Sequence, residues 1–465
     1  MAVARSLLFS QILLAYAVVV GPAINTAHGQ QSQSSQVVES VKNRAAAAFL
    51  SVLLRPEAAL NALAWIDQNW EPGMEPIALE ALRFTQDPLA RLKLIELLQR
   101  KTGQTLEPDV QAWLFWWWNQ PHVEHESYLP FKRIFYSFLD PKFEAYFKEP
   151  GERSIRLDEI VWGGVRQDGI PPLRQPAMLK AEAADYLDET NVVFGISING
   201  DARAYPKRIL AWHEMFIDTV GGQSVAGVYC TLCGTVILYY TEHGGVEHAL
   251  GTSGFLYRSN KLMYDQATRS LWSTMRGTPV MGPLHGKGIR LGRGSVVTTT
   301  WGEWRRRHPR TQVLSLDTGQ VRDYSEGAAY RAYFATDELM FRVPKVDKRL
   351  DNKAQVLALR TSDASEALAI TSEFLRGRSL YQVVLAGTPL AIVTDQSGAH
   401  RVYQRGEVEF VSWDGTHVAV DEAGNEWRAD ETGLHFAGTT LPRFPAHNAF
   451  WFGWYAAFPE TELIY

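Results

Sequence analysis

Cysteine is almost missing from this chain: there are two in 465 residues. That excludes a disulfide framework and a four-cysteine zinc fold, which need more thiols than are here. A dominant charge is missing too. Lys and Arg number 46 against 51 Asp and Glu, a net charge of −5, and no basic stripe stands out. This argues against nucleic acid as a partner. After the N-terminal segment, no apolar run is long enough to span a bilayer. Neither a phosphate-binding loop nor a dinucleotide fingerprint is found. Gly251-Thr252-Ser253-Gly254 fails as a nucleophile elbow, because Phe255 stands where the second glycine belongs. What remains is 46% hydrophobic and 21% charged, the composition of a globular chain with a sizeable core and two or three domains.

The N-terminus reads as an export signal over 1–29. Arg5 precedes a mostly apolar stretch from Leu7 to Val20, broken by Pro22, and Ala27-His28-Gly29 supplies small residues for cleavage before Gln30. The alternative is an uncleaved anchor, although Ser10 and Gln11 interrupt a run already short for a span. No cysteine lies near the cleavage point, so a lipoprotein is excluded. The expected location is periplasmic or extracellular, with no transmembrane domain after signal removal. Residues 30–36 form a Gln/Ser linker with nothing to bury.

Residues 37–150 read as a helical-hairpin array. Leu89, Leu92, Ile95 and Leu98 recur at helical spacing. Asp87-Pro88, Glu107-Pro108 and Asp140-Pro141 each pair an acidic cap with a first-turn proline. Trp113, Phe115, Trp116, Trp117 and Trp118 crowd one helix and read as packing rather than a cofactor box.

From 151 onward the texture is strands and turns, so the fold class is α+β: a helical array, then a mainly β region. Asn199-Gly200 follows a strand-like run and marks a hairpin. The strand through Ser224–Tyr229 ends at Cys230, and another starts at Thr235. Val220–Val228 lines up with Leu385–Val393, and Tyr264–Trp272 with Val420–Trp427. This suggests an internal duplication, with repeats at 151–345 and 346–465. Asp395 then matches Cys230, so only the first repeat carries thiols.

Tyr229-Cys230-Thr231-Leu232-Cys233-Gly234 resembles the Tyr-Cys-Pro-Leu-Cys-Gly hallmark of an uncharacterised prokaryotic family, domain of unknown function 3179. Matching stretches are Asp168-Gly169-Ile170-Pro171, Ala204-Tyr205-Pro206, Trp212-His213-Glu214, Asp218–Gly222, Gly254–Tyr257, Met263–Asp265, Ser270–Ser273 and Pro445–Trp454. The resemblance covers about 155–465. It supports boundaries and site choice and implies no reaction. Thr231 departs from the family's proline.

Three chemistries fit Cys230 and Cys233. Both sulfurs converge only if the chain turns between them, and Gly234 leaves room for backbone N–H groups to point at a thiolate. As a metal site the pair needs further ligands. His213 is the candidate third ligand, with Glu214 to orient it and Met263 a conceivable soft donor, although Met263 reads as core. Copper or zinc suits that set. This is the leading expectation, used for catalysis or metal handling. The second is a metal-free binding or scaffold protein with a Cys230–Cys233 disulfide. The third is a periplasmic thiol-redox protein, though the flanking strands differ from a thioredoxin-like setting. The partner would be an unknown small molecule or protein. Arg305-Arg306-Arg307-His308 reads as a solvated face, and the aromatic end Phe450–Trp454 as closure of the β core.

Overall fold

A computed structural model describes residues 43–148, 151 and 153–465. The proposed signal and the linker lie outside the described residues. The chain divides into two compact units, one through Pro150 and one from Gly151.

The first unit is helical. Its helices are α1 (Arg44–Leu54), α2 (Ala59–Gln68), α3 (Glu75–Phe84), α4 (Pro88–Thr102), α5 (Val110–Trp118) and α6 (Tyr128–Leu139). Asp87 caps α4 by accepting from Ala90 N at 2.7 Å, with Pro88 in the first turn. Asp140-Pro141 opens a 3₁₀ segment, Pro141–Phe147, rather than an α-helix. The third start differs. Helix α5 begins at Val110, because the shorter Asp109 side chain reaches Gln111 N and caps there, displacing Glu107-Pro108. Trp113, Trp117 and Trp118 are buried, while Phe115 faces outward. Among the described residues no single helix is long and apolar enough to cross a membrane.

The second unit is mainly β. Hairpin β1 (Val192–Ile198) and β2 (Asp201–Pro206) turns at Asn199-Gly200, both with positive φ, as a type I′ turn requires. Helix α7 (Lys207–His213) follows. An antiparallel meander comes next: β3 (Met215–Val220), β4 (Gln223–Cys230) and β5 (Thr235–Tyr240). Four more antiparallel strands follow, β6 (Leu250–Tyr257), β7 (Asn260–Asp265), β8 (Leu271–Ser273) and β9 (Thr278–Met281). Then β10 (Val297–Thr300) returns to pair antiparallel with β1. Helix α8 (Trp301–Arg307) leads to β11 (Gln312–Leu314), which pairs parallel with β2.

Similar elements then recur in the same order. Strands β12 (Gln355–Arg360) and β13 (Ala367–Thr371) pair, and helix α9 (Ser372–Arg376) follows. The next meander is β14 (Leu380–Leu385), β15 (Thr388–Thr394) and β16 (His400–Gln404). A five-stranded sheet holds β17 (Phe410–Trp413), β18 (Val418–Asp421), β19 (Glu426–Ala429), β20 (Gly433–Phe436) and β21 (Thr439–Pro442). Strand β22 (Ala446–Phe450) returns to β12, and α10 (Trp451–Ala457) leads to β23 (Glu462–Ile464), parallel to β13. Local details match as well. Trp304 Nε1 donates to Thr311 Oγ1 at 2.9 Å, and Trp454 Nε1 to Thr461 Oγ1 at 3.0 Å. Turns Gly221-Gly222 and Ala386-Gly387 both sit at positive φ.

The core holds the aromatic end, with Trp451, Phe452 and Trp454 buried. The basic run is only half solvated. Arg305 and Arg306 are exposed, but the Arg307 side chain is 4% exposed. It turns inward because Glu303, one helical turn earlier, pairs with it at 2.6 Å.

Candidate thiol site

Strand β4 runs out at Cys230 and β5 begins at Thr235, so the pair sits in the tight turn between them. Cys233 N donates to Cys230 O at 3.2 Å and Gly234 N to Thr231 O at 3.4 Å. These amides close the turn instead of pointing at a thiolate. Gly234 is needed there: its φ is +59°, and a Cβ would stand 3.0 Å from the Phe450 ring. Strand β22 clamps the turn through Phe450 N, which donates to Cys233 O at 2.7 Å. Gly453 on α10 lets that helix approach, since a Cβ would lie 2.9 Å from Cys233 Cβ.

The turn brings the sulfurs to 3.0 Å from each other, as free thiols. Cys230 is 2% exposed and Cys233 is fully buried. Leu232, Leu256, Tyr333, Val343, Phe450, Phe452 and Ala456 form an apolar shell around them. Tyr333 OH donates to Leu232 O at 2.8 Å, and Tyr330, Phe334, Leu339, Met340 and Phe341 pack over this shell.

One charged pair lies inside the cluster. Lys261 Nζ meets Glu214 Oε2 at 2.7 Å, with side chains 6% and 9% exposed. Glu214 is the residue after α7, held at φ +57°. Its Oε1 accepts from Thr231 Oγ1 at 2.8 Å and from Tyr330 OH at 3.2 Å. Lys261 also donates to Glu214 O at 3.0 Å. The hairpin between β6 and β7 turns on Arg258-Ser259, both at positive φ, and sets Ser259 O 3.2 Å from Cys233 Sγ.

These neighbours split the two thiols. Burial pushes Cys230 up and Glu214 repels its thiolate. The Cys233 hydrogen bond, the Lys261 ammonium and the Lys261 backbone N–H outweigh both, and the net shift is downward. Cys233 goes well above the ordinary thiol range, first through burial and then through the bond to Cys230 and its charge. The same surroundings therefore favour the thiolate at Cys230 and the protonated thiol at Cys233.

His213 is placed differently from the two sulfurs. It is fully buried, with Nδ1 2.8 Å from Pro171 O and Nε2 2.6 Å from Tyr324 OH. Both ring nitrogens are thus engaged by protein oxygens. Burial, followed by the nearby charge of Arg322, lowers its pKa despite the Pro171 bond. Glu214 does not orient it: adjacent residues diverge, and the carboxylate points to Lys261 and Thr231. Met263 is a core residue. Among the described residues no group of three or more His, Cys, Asp and Glu is arranged to hold a metal ion.

Some segments singled out in the sequence meet one another: Pro171 meets His213, and Phe450 covers Gly234. The family model described as "Protein of unknown function (DUF3179)" matches residues 167–461. The chain belongs to this family. No curated protein and no solved structure matches it. Lys261 escaped the sequence reading. Its signal was a lone cation in Asn260–Asp265, where every residue is buried, since a buried lysine needs a carboxylate partner.

Proposed function

We propose that Cys230 and Cys233 form a dithiol–disulfide couple in an exported protein. Cys230 is the attacking thiol and Cys233 the resolving one. The observation that carries this reading is the split pair: two sulfurs 3.0 Å apart, one lowered and one raised by the same surroundings. Closing to a disulfide of about 2.05 Å needs only a small approach. The chemistry balances with an external disulfide as oxidant. The Cys230 thiolate attacks one sulfur, forms a mixed disulfide and expels one thiol. Cys230 then carries no charge, which removes its share in holding the Cys233 proton, the larger share being burial. Cys233 ionises, attacks Cys230 Sγ and expels the second thiol. The protein loses two electrons and two protons, and the substrate disulfide gains them.

The pair needs access, because its apolar shell is closed. A small disulfide or local opening of the 330–341 segment supplies it. A copper or zinc site on the same sulfurs needs more rearrangement. Thiolates bound to one zinc at ~2.3 Å in tetrahedral geometry sit about 3.8 Å apart, and further ligands would have to come from groups now bonded elsewhere. The recurring order of elements supports a duplicated origin for the β unit, with thiols kept in one half.

The test is trapping. A Cys233→Ser variant incubated with oxidised glutathione accumulates a mixed disulfide on Cys230, seen by intact mass, while Cys230→Ser takes up none. Equal labelling of the two variants, or none in either, overturns the assignment.

A further inference from the structure

The β unit holds a second cluster whose charges do not balance. Arg360, at the end of β12, is fully buried, and its Nε and Nη2 have no hydrogen-bond partner. Arg293 Nη2 donates to Arg360 O at 2.7 Å and its Nη1 to Pro445 O at 3.3 Å. Arg290 Nη1 is buried without a partner, and so is Nε2 of His447, which lies on β22 beside the end of β12. Arg276 and Arg360 both approach the Phe458 ring, at 5.0 and 6.0 Å. None of these arginines forms an ion pair with a described residue. Asp363 makes no ion pair with Arg360, and its Oδ1 accepts from Thr361 Oγ1 and Ser365 Oγ. Burial, then Arg360, pushes Arg293 down to about 9, and burial followed by Arg293 and Arg360 keeps His447 neutral.

The other half of the unit shows what is missing. Arg293 stands opposite Tyr239, and Tyr239 OH donates to Thr274 O at 2.6 Å. Arg443 stands opposite Tyr403, and Tyr403 OH donates to Asp430 O at 2.9 Å. The residue after Asp430 is Glu431, whose buried carboxylate pairs with Arg443 and, at 2.7 Å, with Arg401. The residue after Thr274 is Met275, also buried. The arginine is present in both halves, and its carboxylate in only one.

We propose that Arg290, Arg293 and Arg360, with His447, bind a small oxyanion that takes the place Glu431 fills in the other half. Guanidinium groups suit the paired oxygens of a carboxylate, sulfate or phosphate. A ligand bound only by the folded chain stabilises it by mass action, so the site is read from thermal stability. The full chain is melted in chloride, acetate, sulfate and phosphate at matched ionic strength, followed by tryptophan fluorescence. Tm is expected to rise by several degrees in at least one oxyanion over chloride, and which one responds separates carboxylate from tetrahedral ligands. Met275→Glu supplies the carboxylate internally. It should raise Tm in chloride and remove the oxyanion response. Arg360→Met should remove the response by the opposite route, and it keeps the test decisive if Met275→Glu does not fold. Equal Tm in all four salts for the native chain overturns the proposal. So does an oxyanion response that survives Arg360→Met.

Discussion

Lys261→Met is the sharpest perturbation of the thiol cluster. The substitution keeps the length of the side chain and removes its charge. Lys261 and Glu214 are both nearly enclosed and lie 2.7 Å apart. Without the ammonium, Glu214 retains two hydroxyl donors, Thr231 and Tyr330, but no countercharge. Breaking a buried pair by removing one partner costs about 3–5 kcal/mol. Two carbonyls also lose a donor, Glu214 O at 3.0 Å and Tyr229 O at 3.5 Å. The second contact is long, so the estimate stays near ~4 kcal/mol. Urea unfolding, read as a change in midpoint at constant slope, measures it. Adding Glu214→Gln to Lys261→Met removes the stranded charge and should recover roughly half of the loss, about 2 kcal/mol. A cost below about 1 kcal/mol, the level of an exposed pair, refutes the claim that this ion pair is sealed into the core. So does a double variant no more stable than Lys261→Met alone.

Other consequences follow from the same structure. Thiolate absorbance near 240 nm should show one step below the ordinary cysteine range, from Cys230, and no second until well above it. Cys230→Ser removes the early step, and Cys233→Ala shifts it upward by removing the hydrogen bond that lowers Cys230. His400 is pushed down to about 4 by burial and by Arg376. Because the unfolded chain binds this proton first, its contribution is present above about pH 6.5 and is lost as pH falls towards 4, with a slope of at most ~1.4 kcal/mol per pH unit. Unfolding measured from pH 7 to 4 should show a shallower decline in His400→Gln. Glu431→Gln strands Arg443 and leaves Arg401 with Asp395 alone and should cost about 3–5 kcal/mol, whereas exposed Glu57→Gln should change stability by under ~0.5 kcal/mol. Gly453→Ala drives a methyl to 2.9 Å from Cys233 Cβ. It should lower stability by about 1–3 kcal/mol and alter thiol reactivity.

Much of this fold was legible because its signals are local. Asn199-Gly200 forms its hairpin through backbone φ alone, and Asp87-Pro88 starts a helix with its own side chain and ring. The strands on either side of Cys230 and Cys233 followed from short apolar runs ending in a turn. Long-range partners left weaker traces. The sequence marked His213 and Glu214 together, but adjacent residues leave α7 in different directions, so one went to Tyr324 and the other to Lys261. Arg307 read as solvent-facing because no local rule shows that the 395–431 region would cover its pair with Glu303, one helical turn earlier. Lys261 carried a usable signal, a charge inside an otherwise buried strand, whereas Ser259 contributes a backbone carbonyl that no side-chain pattern can reveal.

The central claim is that Cys230 and Cys233 exchange two electrons as a unit. Equilibration of the full chain across a series of reduced and oxidised glutathione ratios, quenched with acid and a thiol alkylating agent and read by intact mass, tests it directly. The account predicts a single transition in which both thiols disappear together, reversible on returning to reducing buffer and absent in Cys230→Ser. A pair that stays fully reduced or fully oxidised across the whole series, or that loses its thiols one at a time, contradicts it.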